Sequence, residues 1–213
     1  AVPFFYDYPA SKMRMIGVTG TNGKTTTTHI IGHMLRSQGY TVGIIGTVHI
    51  LIDDQSYPIH NTTPDVADLQ QILQQMVDAG VTHCIMEVSS HALALGRTAG
   101  VEYDTAVFTN LTQDHLDFHK TFDNYLAAKA KLFKQVSASY QVKEGKGAVI
   151  NVDDAYGQAI VDVTTAPMIT YSTEGKGTMN ASDLAITAKS SQFTLSYDGK
   201  NYPISTKITG MFN

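Results

Sequence analysis

An apolar run, MRMIGVTG (residues 13–20), passes through TNGKTTTT (21–28) into a helix-like segment from Thr25 to Gln38 that Gly39 stops. A second apolar run, TVGIIGTVHI (41–50), follows at once, as a crossover to a parallel neighbour requires. The unit is strand, glycine-rich loop, helix, strand, and it commits the chain to a βαβ architecture. Such a loop aims several backbone N–H groups and the positive end of a helix dipole at one point, which suits an anion. Lys24 adds a mobile cation for phosphates, and the Thr25 or Thr26 hydroxyl can reach a magnesium ion. A strict G-x-x-x-x-G-K-[ST] phosphate loop would need glycine at position 18, where Val18 stands with Gly17 one step too early.

The alternation continues downstream. NTTPD (61–65) supplies a threonine cap, proline at the first helical position and an acidic first turn to a helix running to Ala79 and ending at Gly80. Buried-looking strands are expected at His83 to Val88 and Thr105 to Thr109, a helix from Phe122 to Val136, and strands near Ala148 to Val152 and Met168 to Tyr171. This is a doubly wound, mostly parallel α/β sheet. The last third alternates polar and apolar residues, and Asp198-Gly199 makes a hairpin turn, so a small antiparallel lobe is expected over about 178–210.

The 213 residues, 43% hydrophobic, can bury a full core. A net charge of -4 without a basic run argues against nucleic acid as a partner. Cys84 stands alone, which argues against a disulfide framework and for a reducing compartment, the cytoplasm. No stretch approaches the ~20 apolar residues of a membrane span, and no signal segment opens the chain. AVPFFYDYPASKM reads as an extended, Pro-bearing linker, and the stop at ITGMFN suggests a piece of a longer protein: linker over 1–12, nucleotide-binding unit over 13–213.

Three further features bear on chemistry. Glu87 closes an apolar run at the carboxyl end of a strand, where parallel sheets gather ligands; it is either an ordinary acid there or a hard oxygen ligand for magnesium. TNLTQDHLDFH (109–119) follows another strand and brings two histidines, two aspartates and Asn110 to the same edge. It makes a poor transition-metal cluster and a better part of a magnesium and phosphate site. Finally, Phe122, Tyr125, Leu126, Lys129 and Phe133 share one helix face, while Lys131 and Lys134 point elsewhere. Lys129 therefore sits in an apolar stripe, where it either snorkels or serves a site, since a buried unpaired ammonium is costly.

GVTGTNGKTTT, NTTPD, MEVSSHAL with GR, FTNLTQDHLDFH and YLAAKAKLF stand in the order and approximate spacing found in the Mur ligases of peptidoglycan synthesis. The chain resembles the central, ATP-binding domain of that family, strongly from Tyr8 to Phe133, and looks most like the ligases that add the third peptide residue. The family's phosphate loop itself reads GTNGK[ST], so Val18 is in keeping with it.

The resemblance implies that Gly20, Thr21, Asn22, Gly23, Lys24, Thr25 and Thr26, with Asn110, hold ATP. Thr25, Glu87, His115 and Lys129 are implied around Mg²⁺, Lys129 as a carbamate formed from CO₂. Lys24, Lys129 and His115 are the implied catalytic groups. Asn61, Thr62, Thr63, Ser89 and Arg97 align with contacts to UDP-MurNAc-L-Ala-D-Glu. Leu95 replaces a glutamine found in some members two residues before Arg97, which puts a polar contact there in question. The implied reaction is ATP-driven amide synthesis through an acyl phosphate, with a diamino acid as the incoming amine. A monomer is expected, and the isolated chain is expected to be inactive. The rivals are a folylpolyglutamate synthetase-like or other Mur ligase, and a non-catalytic nucleotide-binding module. A guanine-nucleotide switch would show an N-K-x-D motif, which the chain lacks.

Overall fold

The computed structural model describes residues 2–59, 61–138 and 143–209. Residues 1 and 210, the outer ends of the expected linker and lobe, lie outside the described residues. A short helix α1 (Val2–Phe5) and a 3-10 turn (Pro9–Lys12) precede strand β1 (Arg14–Thr19) and helix α2 (Lys24–Ser37). There follow β2 (Val42–Ile45), β3 (Ile50–Ile52), β4 (Gln55–Tyr57), α3 (Val66–Asp78), β5 (His83–Glu87), α4 (Ser90–Leu95), β6 (Thr105–Phe108), α5 (Leu116–His119) and α6 (Phe122–Val136). The chain continues through β7 (Gly147–Asn151), α7 (Gly157–Asp162), β8 (Met168–Ser172), β9 (Met179–Ile186), β10 (Ser191–Tyr197) and β11 (Lys200–Thr206).

All strands join one sheet in the order β11-β10-β9-β8-β7-β6-β1-β5-β2-β3-β4. The six strands from β8 to β2 run parallel. The sheet is wound on both sides. On one face Val18, Val42, Ile44, Ile85 and Val107 pack against Ile31 and Leu35 of α2. On the other, Met15, Met86 and Phe108 meet Leu69, Leu73 and Met76 of α3 and Leu132 and Phe133 of α6. Strands covered on both faces need continuous apolar sequence, which is what runs such as CIMEV supply.

The α6 stripe is as the spacing predicts: Tyr125, Lys129 and Phe133 are buried, whereas Lys131 and Lys134 are exposed. The hairpin turn is also present, with Asp198 and Gly199 at φ of 50° and 70°, the left-handed pair that a two-residue turn between β10 and β11 requires.

Three expectations are corrected. Residues 2–12 are not extended: they form α1 and the 3-10 turn, and Pro9 and Ala10 are buried. The cap of α3 is Asp65, without a side-chain bond, because Thr63 turns its hydroxyl to the Glu87 carbonyl at 2.9 Å. The run 41–50 is two strands rather than one; it breaks after Ile45, and β3 folds back antiparallel on β2. The expected antiparallel lobe is present as β9, β10 and β11, and it carries the same sheet onward, since β9 joins β8 in parallel through Tyr171 with Met179 and Ser172 with Asn180.

Candidate functional site

Parallel register brings the carboxyl ends of β1, β5 and β6 level: Val18 lies beside Glu87, and Thr19 beside Phe108. The three loops leaving these strands therefore emerge at one edge, the ligand-binding edge of a doubly wound sheet.

The loop after β1 is braced by the segment after β6. Thr21 N donates to Asn110 O at 2.9 Å and Asn22 N to Asn110 Oδ1 at 2.8 Å, while Asn110 Nδ2 returns a bond to Asn22 O at 3.1 Å. Thr112 N donates to Thr21 Oγ1 at 2.9 Å. A side chain at Gly20 would place its Cβ 1.8 Å from Thr109 Oγ1, so this close approach demands glycine. Gly23, left-handed at φ 82°, turns the loop into α2. Thr27 N is bonded to Gly23 O at 2.9 Å. The amides of Lys24, Thr25 and Thr26 precede it in the first turn, where no helical carbonyl is in reach, and they are the donors that suit a phosphate.

Two lysines converge on one carbonyl from opposite sides of this loop. Lys24 Nζ donates to Gly20 O at 2.9 Å and to Thr21 O at 2.8 Å; Lys129 Nζ, on α6, donates to Gly20 O at 2.9 Å. Lys129 is 1% exposed and its Nζ lies 4.6 Å from the centre of the Tyr125 ring. Burial pushes its pKa down to about 7, the Lys24 charge adds to that, and Asp114 opposes it. Lys24 is also lowered by burial, against the pull of Glu87 and Asp114. The snorkelling alternative for Lys129 is thereby excluded: its head group points inward, beneath the phosphate loop.

Glu87 is 1% exposed and faces the same cleft. Its Oε1 accepts from Thr25 Oγ1 at 2.9 Å and from Thr47 N at 3.0 Å, and its Oε2 accepts from Thr47 Oγ1 at 3.0 Å. The cleft, of about 370 Å³, is lined by the loop from Thr21 to Thr26 and by Thr47, Thr62, Glu87, Ser89 and His115. A buried carboxylate beside a threonine hydroxyl is a hard oxygen set that fits Mg²⁺, an ion that keeps most of its waters and takes the remaining ligands from phosphates. Among the described residues no group of three His, Cys, Asp or Glu side chains is placed to cage a metal unaided.

The other expected residues divide into those at the cleft and those behind it. His115 stands on the rim, half-exposed, at φ 52° and 3.3 Å from Asp114 Oδ2. Ser89 caps α4, accepting from Ala92 N at 3.1 Å. Thr63 lies behind, where it also accepts from Ser89 N at 3.0 Å. Arg97 is ion-paired with Asp65 at 2.7 Å, Asn61 is exposed and outside the lining, and Leu95 is solvent-facing.

Two residues with contacts at the loop and cleft are not marked by any motif of the sequence. Thr47 was hidden inside a run taken as continuous strand, although Gly46-Thr47 at the end of an apolar run signals the ligand edge. The Tyr125 hydroxyl, 3.1 Å from Thr21 Oγ1, gave no signal beyond its place in an apolar stripe.

A family model described as Mur ligase middle domain matches residues 18–213. A Bacillus cereus protein named UDP-N-acetylmuramoyl-L-alanyl-D-glutamate--2,6-diaminopimelate ligase is 44% identical over 210 residues, which are 99% of this chain and 43% of that protein. A protein of the same name from Geobacillus kaustophilus is 48% identical over 209 residues, 98% of this chain and 43% of its own length. A solved structure of a ligase so named superposes with a TM-score of 0.84 at 33% identity, covering 94% of this chain and 40% of that one. The chain thus spans less than half the length of the relatives it matches.

Proposed function

This chain belongs to the Mur ligase family, and from that premise we propose that it is the nucleotide-binding part of an ATP-dependent amide ligase. The ligase adds the third peptide residue to UDP-MurNAc-L-Ala-D-Glu in the cytoplasm, acting as a monomer. The names of the relatives point to 2,6-diaminopimelate as the incoming diamino acid. The observation that carries the reading is the convergence of Lys24, Thr25, Glu87 and the buried Lys129 on one loop of a doubly wound sheet.

In this reading the free amides of the first turn of α2 and the Lys24 ammonium hold the ATP phosphates. Lys24 exchanges the Gly20 and Thr21 carbonyls for phosphate oxygens when ATP arrives. Thr25, Glu87 and His115 would hold Mg²⁺, which when bound would neutralise charge on the transferring phosphoryl group. Thr62, Ser89, Asn61 and Arg97 face the muramoyl dipeptide, and Thr63 holds Ser89 in place. The terminal carboxylate of the dipeptide attacks the γ-phosphorus and ADP leaves. The diamino acid's amine then adds to the acyl carbon, and phosphate departs as the amide forms and a proton is lost. Positioning and charge neutralisation carry the rate, and no covalent protein nucleophile takes part.

Lys129 is read as the carbamylated lysine. Its amine forms a C–N bond to CO₂ and releases a proton, which needs the free base, and a pKa near 7 makes that form abundant at neutral pH. The resulting anion would stand beneath the loop, by the Gly20 carbonyl and the Lys24 ammonium.

The test is phosphate release by the full-length ligase. It should require UDP-MurNAc-L-Ala-D-Glu and proceed with 2,6-diaminopimelate but not L-lysine. Equal ATP hydrolysis without the dipeptide would overturn the ligase reading in favour of a nucleotide-driven module. The 213 residues alone should bind ATP and form no tripeptide.

A further inference from the structure

We infer that Thr47 is a positioning residue that aims the Glu87 carboxylate. It lies outside every motif that marks the site and stands in the turn between β2 and β3, brought to the cleft by the break after Ile45. It holds both oxygens of Glu87, with its backbone N–H on Oε1 and its hydroxyl on Oε2, each at 3.0 Å. A carboxylate 1% exposed has little water to orient it, so the protein groups around it decide where its lone pairs point. The fit of the turn is close: a Cβ at Gly46 would lie 2.4 Å from Oε1, so the neighbour of Thr47 must lack a side chain for the carboxylate to occupy this place.

The Thr47 hydroxyl has one proton, and an ionised carboxylate can only accept, so that proton goes to Glu87. Thr62 Oγ1, 3.1 Å from Thr47 Oγ1, is placed as a second, weaker acceptor for that same proton. Thr47 thereby stands between the NTTPD segment and the carboxylate, with an acceptor on each side of its hydroxyl. This inference rests on the reading of Glu87 as a ligand for the nucleotide's metal.

The experiment measures binding of β,γ-methylene-ATP to the full-length ligase by calorimetry over a series of Mg²⁺ concentrations and in EDTA. Thr47→Val keeps the shape and the backbone N–H while removing the hydroxyl; Thr47→Ser keeps the hydroxyl. The Val variant should need about tenfold more Mg²⁺ for half-maximal binding, with metal-free affinity unchanged and the Ser variant within about twofold of the parent. An unaltered Mg²⁺ dependence in the Val variant, or a Ser variant as impaired as Val, overturns the inference, because a mere tether for the β2–β3 turn would not act on metal through the hydroxyl. Glu87→Gln separates the two readings. If it shifts the Mg²⁺ dependence and Thr47→Val does not, the role of Thr47 alone falls; if neither shifts it, Glu87 falls as a ligand and the inference falls with it.

Discussion

The middle of the sheet and its C-terminal wing are built from the same hydrogen-bonded ladder, yet they do different work. In β1, β5 and β6 most residues are buried, because α2 covers one face and α3 and α6 the other. In β9, β10 and β11 no residue is buried, and Leu184, Ile186 and Tyr202 are exposed. The cleft residues come from the segments that follow β1, β5 and β6, from the β2–β3 turn and, in Thr62, from the segment before α3, and none comes from the wing. A strand clamped on both faces gives its terminal residue a fixed position, which a ligand for phosphate or metal needs. The wing shows that sheet continuity by itself confers no such precision.

The comparison predicts a large asymmetry in stability. Phe108 is fully buried in β6 with its ring edge-to-face on Phe133 at 6.4 Å, so Phe108→Ala should cost about 3–5 kcal/mol. Tyr202 in β11 is 44% exposed, and Tyr202→Ala should cost about 1 kcal/mol or less. Thermal unfolding gives the totals, and hydrogen exchange of β6 and β11 amides locates them. Equal losses at the two sites would erase the distinction between middle and wing.

Activity should divide in the same way. Lys24→Met removes the cation of the phosphate loop and should lower kcat for phosphate release by roughly 100–1000-fold in the full-length ligase. Lys200→Met, on the exposed start of β11, should leave kcat within about twofold. A wing variant as damaging as Lys24→Met would mean that the cleft reaches further than its lining.

What was legible in the sequence follows from how local each cause is. The phosphate loop, α2, α3, α6 and the Asp198-Gly199 turn each announce themselves within about fifteen residues, through glycine placement or apolar spacing. The inward aim of Lys129 was visible for the same reason. The short helices α4, α5 and α7 span less than two turns, too few for a helical period to show. The Thr63 hydroxyl is drawn away from α3 by the Glu87 carbonyl, 24 positions along the chain, and Thr47 meets Glu87 across 40. Contacts of that range depend on strand order, which no local pattern encodes. Continuity of the wing with the main sheet rests on two residue pairs, Tyr171 with Met179 and Ser172 with Asn180.

The buried middle also carries an electrostatic cost that the wing does not. The Lys129 pKa is about 7 in the folded chain against an ordinary 10.5, so between those values the unfolded chain binds more protons. Stability must then rise as pH climbs from 7 toward 10.5, and the penalty is fully present below pH 7. In CO₂-free buffer the rise should be about 2 kcal/mol between pH 7 and 9. Lys129→Met should flatten it, as denaturation midpoints at several pH values would show. An unchanged slope would locate the titration elsewhere.

The smallest effect should come from the turn that closes the wing. Gly199 has φ 70° and open space where a Cβ would stand, so Gly199→Ala meets no clash and pays only for left-handed backbone. That cost is about 1 kcal/mol. Because β10 and β11 pair from Ser191 with Thr206 to Tyr197 with Lys200, the loss should appear as faster hydrogen exchange along this hairpin. It should stop there, since the wing meets the parallel strands through the two pairs between β8 and β9. Affinity for β,γ-methylene-ATP should be unaltered. If Gly199→Ala weakened nucleotide binding, strain in the wing would be reaching the phosphate loop through β8, and the two regions would be one mechanical unit rather than a rigid site and its extension.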